Sequence, residues 1–386
     1  MLINLFRWLA ARFELSREVA GTNLRAMEGM RGFAVALVFL THFCTLIGPS
    51  IASAPVLDRF AHAVHAIGNT GVDLFFVLSG YLIYKTLVTR EQGFGSFMMR
   101  RIRRIYPTFL VVFAVYFVLS FVFPHESSIP ANGTLAYVAA NLLLLPGLFP
   151  IKPMITVAWS LSYEMFFYLC LPLVVTLLQL RRRSNLQRIC FVAAVAVALA
   201  AWSAVSDAGH IRMIMFMSGM LIHDAIASRQ VRAPSGMVAA AALMIGLAGS
   251  LLPVTGQVKI GLLFASLFLF CIHCFLRPQS WLARAFCWTP MRWLGNMSYS
   301  YYLLHGLTLK ALFMFVPHSP ALAGHALLLF VLLLPLFFAA TLFTSGCLYL
   351  LVERPLSLAA PKRAVDTAVL AEPAVDVAPQ QALRRT

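Results

Sequence analysis

The sequence predicts an all-α protein, a polytopic transmembrane helical bundle of about ten spans with both termini on the cytoplasmic side. Three observations predict it. Of 386 residues, 61% are hydrophobic and only 11% charged, against about 25% charged in soluble domains; the mean hydropathy is +0.84. Apolar runs long enough to cross a hydrocarbon core of about 30 Å recur along the chain. Basic residues gather in alternate gaps between those runs.

Taken in order, residues 1–25 form a lead-in. Its apolar patch at 2–10 is cut by Arg7, Arg12, Glu14 and Arg17, so it reads as an amphipathic helix on the inner leaflet rather than a cleaved signal. The membrane domain is 26–356. Its spans are expected over 32–48, 72–89, 106–123, 156–180, 189–205, 211–227, 236–252, 258–276, 297–316 and 326–351. The stretch 134–149 is shorter, carries Asn141 and runs into Pro146-Gly147. It fits a re-entrant or interfacial element, because an unpaired backbone cannot stand in lipid. Counting it as a crossing would place Arg181, Arg182 and Arg183 outside, against the positive-inside rule. With ten spans, every basic residue except Arg59, Lys152, Arg212, Lys259 and Lys310 falls on the inner side. The end, 357–386, turns to Ala, Val, Pro and Gln and is expected to be a disordered cytoplasmic tail.

The net charge of +16 calls for no nucleic acid, because the basic residues are scattered over inner loops, where they set topology and touch anionic membrane lipids. Of the seven cysteines nearly all lie in or beside spans and none pairs by spacing in an outer loop, so no disulfide framework is expected. Cys271-Ile-His-Cys274 has half of a zinc spacing but no second ligand pair nearby, and no metal site is expected.

The informative residues are the ionisable ones inside spans, each costing a few kcal/mol unless it faces a polar interior. His42 sits in the first span, separated from Arg31 at its mouth by ten residues, which on a helix is roughly 16 Å. Two readings fit it: a catalytic imidazole, or a span histidine that hydrogen-bonds a neighbouring helix. Asp73 enters the second span from the outer side, where it can lie beside His42 and fix its tautomer; a carboxylate favoured by the helix N-terminus is the other reading. Arg100, Arg101, Arg103 and Arg104 lead into the third span and can grip phosphates or serve as a positive-inside anchor. Glu164 lies two turns into the fourth span beside Trp159, Ser160, Ser162 and Tyr163, a place a carboxylate does not share with lipid. The aromatic residues there also fit an interfacial belt. The ninth span opens with Ser298-Tyr-Ser-Tyr-Tyr and carries a second histidine, His305.

These pieces, in this order, resemble the membrane-bound acyltransferase-3 family. They are Met27-Glu-Gly-Met-Arg-Gly with His42 beyond it, Gly71-Val-Asp-Leu-Phe-Phe-Val-Leu-Ser-Gly-Tyr-Leu-Ile, Arg100-Arg-Ile-Arg-Arg-Ile-Tyr-Pro, Trp159-Ser-Leu-Ser-Tyr-Glu and Ser298-Tyr-Ser-Tyr-Tyr-Leu-Leu-His. The resemblance covers about 22–356. In the family, an Arg and a His so spaced are associated with catalysis, which carries onto Arg31 and His42. Glu28 stands where the family more often has Asp, and Tyr163 precedes Glu164 where a second acidic residue is common. Some relatives carry a further C-terminal esterase-like domain; this chain stops at residue 386 without one and is expected to complete transfer itself or pass its acyl group to a separate protein.

The resemblance implies an enzyme of the bacterial cytoplasmic (inner) membrane that moves an acyl group, acetyl first among them, from acyl-CoA to a hydroxyl of a cell-surface or lipid-linked carbohydrate such as lipopolysaccharide or exopolysaccharide. No bound cofactor is expected. Acetyl-CoA or another acyl-CoA is the donor, its phosphates held by Arg100, Arg101 and Arg104, and Arg31 holds the thioester end or a phosphate. His42, uncharged in its low-dielectric site, acts as general base, oriented by Asp73 or Glu164; an acyl-histidine is the other route. Trp159, Tyr301 and His305 are expected to contact donor or acceptor. A transporter or flippase of a glycan or lipid intermediate would also have buried ionisable groups, but the sequence has no internal repeat. Outer-loop residues, including His62, His65, His125 and Glu126, do not discriminate among acceptors.

Overall fold

The computed structural model describes residues 2–15, 22–206, 210–316 and 325–358. Most of the tail expected at 357–386 lies outside them. Among the described residues every regular element is helical. In chain order these are α1 Leu2–Phe13, α2 Thr22–Ile51, α3 Pro55–Gly68, α4 Gly71–Thr89, α5 Phe94–Val122, α6 Thr134–Leu142, α7 Trp159–Leu177, α8 Asn185–Val205, α9 Ile214–Ser228, α10 Gly236–Gly249, α11 Gly256–Leu276, α12 Trp281–Ala285, α13 Thr289–Asn296, α14 Ser298–Phe313 and α15 Ala326–Leu348, which runs on as a π-helix over Tyr349–Leu358.

Each of the ten expected spans is a helix, but they differ in reach. Among the described residues eight helical segments are long and apolar enough to cross a bilayer; α10 and α14, with 14 and 16 residues, are not, since a full crossing takes about 20. Residues 55–68, expected as outer loop, fold as α3. Pro55 opens it at a position where its missing N–H is harmless, and Leu57, Ala61, Val64 and Gly68 recur at helical spacing and pack on the core. The stretch 134–149 makes only the nine-residue α6 and then turns. There Asn141 receives the Met154 amide at 2.8 Å and donates to the Tyr137 carbonyl, supplying the backbone partners that lipid cannot.

The bundle has an apolar core and, unlike a soluble protein, large apolar stretches of surface as well. On α5 and α15 the exposed residues include Leu110, Val118, Phe121, Leu328, Val331, Leu336 and Phe343, a face for lipid. Of the polar residues that sequence singles out, Asp73 and His305 are fully buried, while Arg100 and Arg103 are exposed. Closeness in the middle comes from glycine: a Cβ on Gly80 of α4 would sit 2.2 Å from the Phe216 carbonyl oxygen, and one on Gly219 of α9 2.1 Å from that of Val77. Only hydrogen there lets the two backbones touch.

The end at which α2, α5 and α14 begin is closed by α1. Arg292 on α13 bonds Glu14 just past α1 and Glu28 on α2, Trp293 donates to Glu14 at 3.0 Å, and Phe13 stacks on Tyr349 at 5.4 Å. Burial alone would raise the Glu14 carboxyl pKa, but hydrogen bonds from Arg292 and Trp293 outweigh it and hold it below its ordinary value. The close α4–α9 crossing makes a testable demand. Gly219→Ala is expected to cost about 1–3 kcal/mol or more, read as a lower thermal midpoint in detergent. Gly261→Ala on α11, whose added Cβ meets nothing within 4 Å, is expected to leave that midpoint in place.

Candidate active site

Two cavities enter the bundle from its opposite ends. The first, about 330 Å³, is enclosed by α2, α4, α5, α7 and α14 on the basic end. Arg31 faces it from α2 and donates through Nε and Nη2 to Ser298 Oγ at 3.2 and 3.0 Å, its guanidinium 5.8 Å over the Phe75 ring. Arg101 and Arg104 face it from α5, one turn apart, and their surroundings differ. Arg104 Nη1 lies 2.6 Å from Oε1 of Glu353, a fully buried carboxylate on the π-helix. The other oxygen of Glu353 accepts from Ser300 N at 2.9 Å and Ser300 Oγ at 2.6 Å. Arg101 lies over two aromatic faces, Phe97 at 5.2 Å and Tyr168 at 5.6 Å, and its buried Nε has no hydrogen-bond partner. A cation held by rings in this way keeps its charge available to an anion. The one acidic side chain in the lining is Glu164, whose Oε1 accepts from Ser79 Oγ at 2.9 Å and from Tyr168.

The second cavity, about 700 Å³, opens at the other end among α2, α5, α14, α15 and the segment leading into α7. His42 lines it. Its walls are mostly apolar, Leu119, Met154, Leu303 and Leu307 among them, and Lys310 and Glu126 pair at 2.5 Å in its lining.

A thin partition separates the two. Ser160 and Tyr302 line the first cavity, while Val157 and Leu303 line the second. The Ser160 and Tyr302 hydroxyls lie 2.7 Å apart, and each is 3.1 Å from the Val157 carbonyl, which accepts. On the second cavity's side the ring of His42 meets that of fully buried His305, centroids 5.1 Å apart, and Tyr301 stacks on His305 at 5.5 Å.

The residues expected from sequence are therefore distributed. Arg31, Arg101, Arg104 and Glu164 meet in the first cavity; His42 and His305 meet at the partition. Arg100 is exposed, bonds Gln92 and lines neither cavity. Asp73 is fully buried, but its carboxylate goes to Arg212 at 3.5 Å, and no hydrogen bond or ion pair joins it or Glu164 to His42. Trp159 packs under Arg212 with its ring at 5.7 Å, and Tyr301 bonds Thr341 at 2.7 Å, so both stand behind the cavities rather than in them. Sequence reasoning passed over Ser79, Ser298, Tyr302 and Glu353 as site residues. Three lie inside the quoted motifs, and Glu353 in Val352-Glu-Arg-Pro355 had the one available signal, an acidic residue at the end of an apolar run.

A helical membrane protein in which an arginine-rich cavity and an imidazole-bearing cavity back onto one partition is the class that fold and site define. The family model Acyl_transf_3, described as an acyltransferase domain, matches residues 24–350, and the chain belongs to that family. It is 30% identical over 155 residues to acyltransferase MdmB of Streptomyces mycarofaciens, covering 39% of each chain. It is 29% identical over 192 residues to O-acetyltransferase OatA of Staphylococcus aureus, covering 46% of this chain and 29% of that one. An uncharacterized protein of Haemophilus influenzae is 34% identical over 120 residues, 28% of this chain and 49% of its own. The matches thus span less than half the length of these relatives. No solved structure gives a significant match. Among the described residues no group of three or more His, Cys, Asp or Glu could hold a metal ion.

The Glu353 contact carries a prediction. Glu353→Ala strands Arg104 in the bundle and frees the Ser300 amide, so it is expected to cost about 3 kcal/mol or more, seen as a lower thermal midpoint. Arg100→Ala, at an exposed position, is expected to stay within about 0.5 kcal/mol.

Proposed function

We propose that the protein transfers an acyl group, acetyl as the first choice, from acyl-CoA to a hydroxyl of an extracytoplasmic carbohydrate, and that it does so in the bacterial inner membrane. The observation that carries this reading is the pair of opposed cavities meeting at one partition. Family membership and a relative named for O-acetyl transfer support the chemistry.

The donor enters the arginine end, which the positive-inside rule assigns to the cytoplasm. A coenzyme A carries phosphates, and Arg101, free of any carboxylate among the described residues, is the best placed to bind one. Arg104, already paired with Glu353, contributes position and field. Arg31, fixed on Ser298, points its charge into the same cavity, where it can hold a second donor phosphate. The acceptor enters the second cavity and offers its hydroxyl to His42. His42 removes the hydroxyl proton as the acceptor oxygen attacks the thioester carbonyl carbon. The C–S bond breaks, and the thiolate takes the proton from the imidazolium to leave as coenzyme A. A stay of the acyl group on His42 divides the same transfer into two steps.

The experiment is mass spectrometry of acyl esters on envelope glycans from a parent strain, a deletion strain and one complemented with His42→Ala. Loss of one specific ester in the last two is expected; its persistence with His42→Ala, at parental level, overturns the role of His42. In purified protein, Arg101→Ala is expected to raise KM for acyl-CoA roughly 10- to 100-fold, the worth of one charge-assisted hydrogen bond, with little change in kcat.

A further inference from the structure

His42 lacks what an imidazole base ordinarily has, an acceptor that fixes which ring nitrogen carries the proton. The carboxylates expected to supply it are engaged elsewhere, Asp73 with Arg212 and Glu164 with Ser79 and Tyr168 in the other cavity. His65 on α3 has its Nδ1 3.0 Å from Thr45 Oγ1. One polar atom near His42 is unclaimed. His305 Nδ1 lies 2.9 Å from the Tyr301 carbonyl, and since a carbonyl only accepts, that nitrogen carries the hydrogen. Nε2 of His305 is therefore a bare acceptor, and it is buried without any hydrogen-bond partner. Such an orphan is uncommon in a folded core and calls for an occupant. The ring of His42 is 5.1 Å away, centroid to centroid, a separation at which a turn of the half-buried His42 ring brings two nitrogens to roughly 2.9 Å.

We infer that His305 is the positioning residue of His42: its Nε2 accepts the ring N–H of His42, so that the other nitrogen of His42 presents its lone pair to the second cavity. The assignment rests on His42 being the base proposed above. The tautomer of His305 is set in turn by the Tyr301 carbonyl, and its ring is clamped against the Tyr301 face at an interplanar angle of 11°, which leaves Nε2 little freedom. When the acceptor hydroxyl gives its proton to His42, the imidazolium keeps its N–H on His305 Nε2, where a neutral acceptor stabilises the charge without importing a buried carboxylate. The arrangement does for His42 what a carboxylate does in an acid–imidazole pair, with a second imidazole in its place.

Two substitutions separate this role from mere packing. In His305→Asn the amide reaches the Tyr301 carbonyl but leaves nothing at the Nε2 position; in His305→Gln the side-chain oxygen stands near that position and can accept. The full chain, with ¹⁵N-labelled histidine and reconstituted in bilayers, is read by solid-state NMR, the His42 signals being those lost in His42→Ala. In the wild type and His305→Gln, His42 is expected as one neutral tautomer; in His305→Asn, as a mixture of both. With acyl transfer measured alongside, His305→Asn is expected to lower kcat roughly 100-fold with KM for acyl-CoA unchanged, and His305→Gln to restore most of the rate. A single unchanged tautomer in His305→Asn, or Asn and Gln proteins that behave alike, overturns the inference. The spectra do not depend on turnover. A His42→Ala protein that still makes the ester would overturn the role of His42 proposed above, whereas loss of the ester with an unlinked His42 tautomer would sink only this pairing.

Discussion

One buried carboxylate ties the functional half of the bundle together. Glu353 sits with no exposure at the end of the last helix and receives Arg104 from α5 and both the amide and hydroxyl of Ser300 at the start of α14. Three separate elements are fastened by one side chain, in a setting where a charge without partners costs several kcal/mol. Two of those elements wall the first cavity. Tyr299, beside Ser300, donates to the Ile105 carbonyl at 2.8 Å, so α5 and α14 are held in register over the stretch where Arg101, Arg104 and Ser298 face inward. The position of the arginines follows from this contact. Glu353 lies within the π-helical winding of Tyr349–Leu358, a rare geometry often met at functional positions.

The same economy of polar groups explains why two cavities exist instead of a channel. Continuous water across the bundle would let protons and ions leak, and the partition opposes it with few polar atoms: Ser160, Tyr302 and a backbone carbonyl within hydrogen-bond reach of one another, backed by Tyr301 stacked on His305 and by the tilted ring of His42. The hydroxyls in the second cavity add little polarity, because Thr45, Ser120 and Thr344 donate to carbonyls of their own helices. Polar groups are thereby concentrated at the partition between the two cavities.

Close packing makes such a wall thin enough. At the α4–α9 crossing Gly80 and Gly219 bring backbones into contact, and Phe76 and Phe216 stack beside it at 4.6 Å. This pulls α4 inward and sets Ser79 against Glu164. Dispersion and exact fit carry the helix contacts in lipid, where apolar burial gains little.

The sequence by itself determined the class, the helical spans and the family, because hydropathy is a local property and ordered motifs survive without coordinates. It also determined which residues are unusual: Arg31, His42, Asp73, Arg101, Arg104 and Glu164 are ionisable groups beside or within apolar runs. It did not register α3, which at 14 residues is too short to stand out as a span, nor the shortness of α10 and α14, since where a helix stops depends on what receives its end. Only the tertiary structure decided the pairings. Asp73 belongs to Arg212 rather than His42, Arg104 to Glu353 249 positions away, and His42 to His305. A charge in hydrocarbon must find a partner, but sequence states only that it must; which one it finds is fixed by helix crossings, and those are set by contacts between residues far apart in the chain.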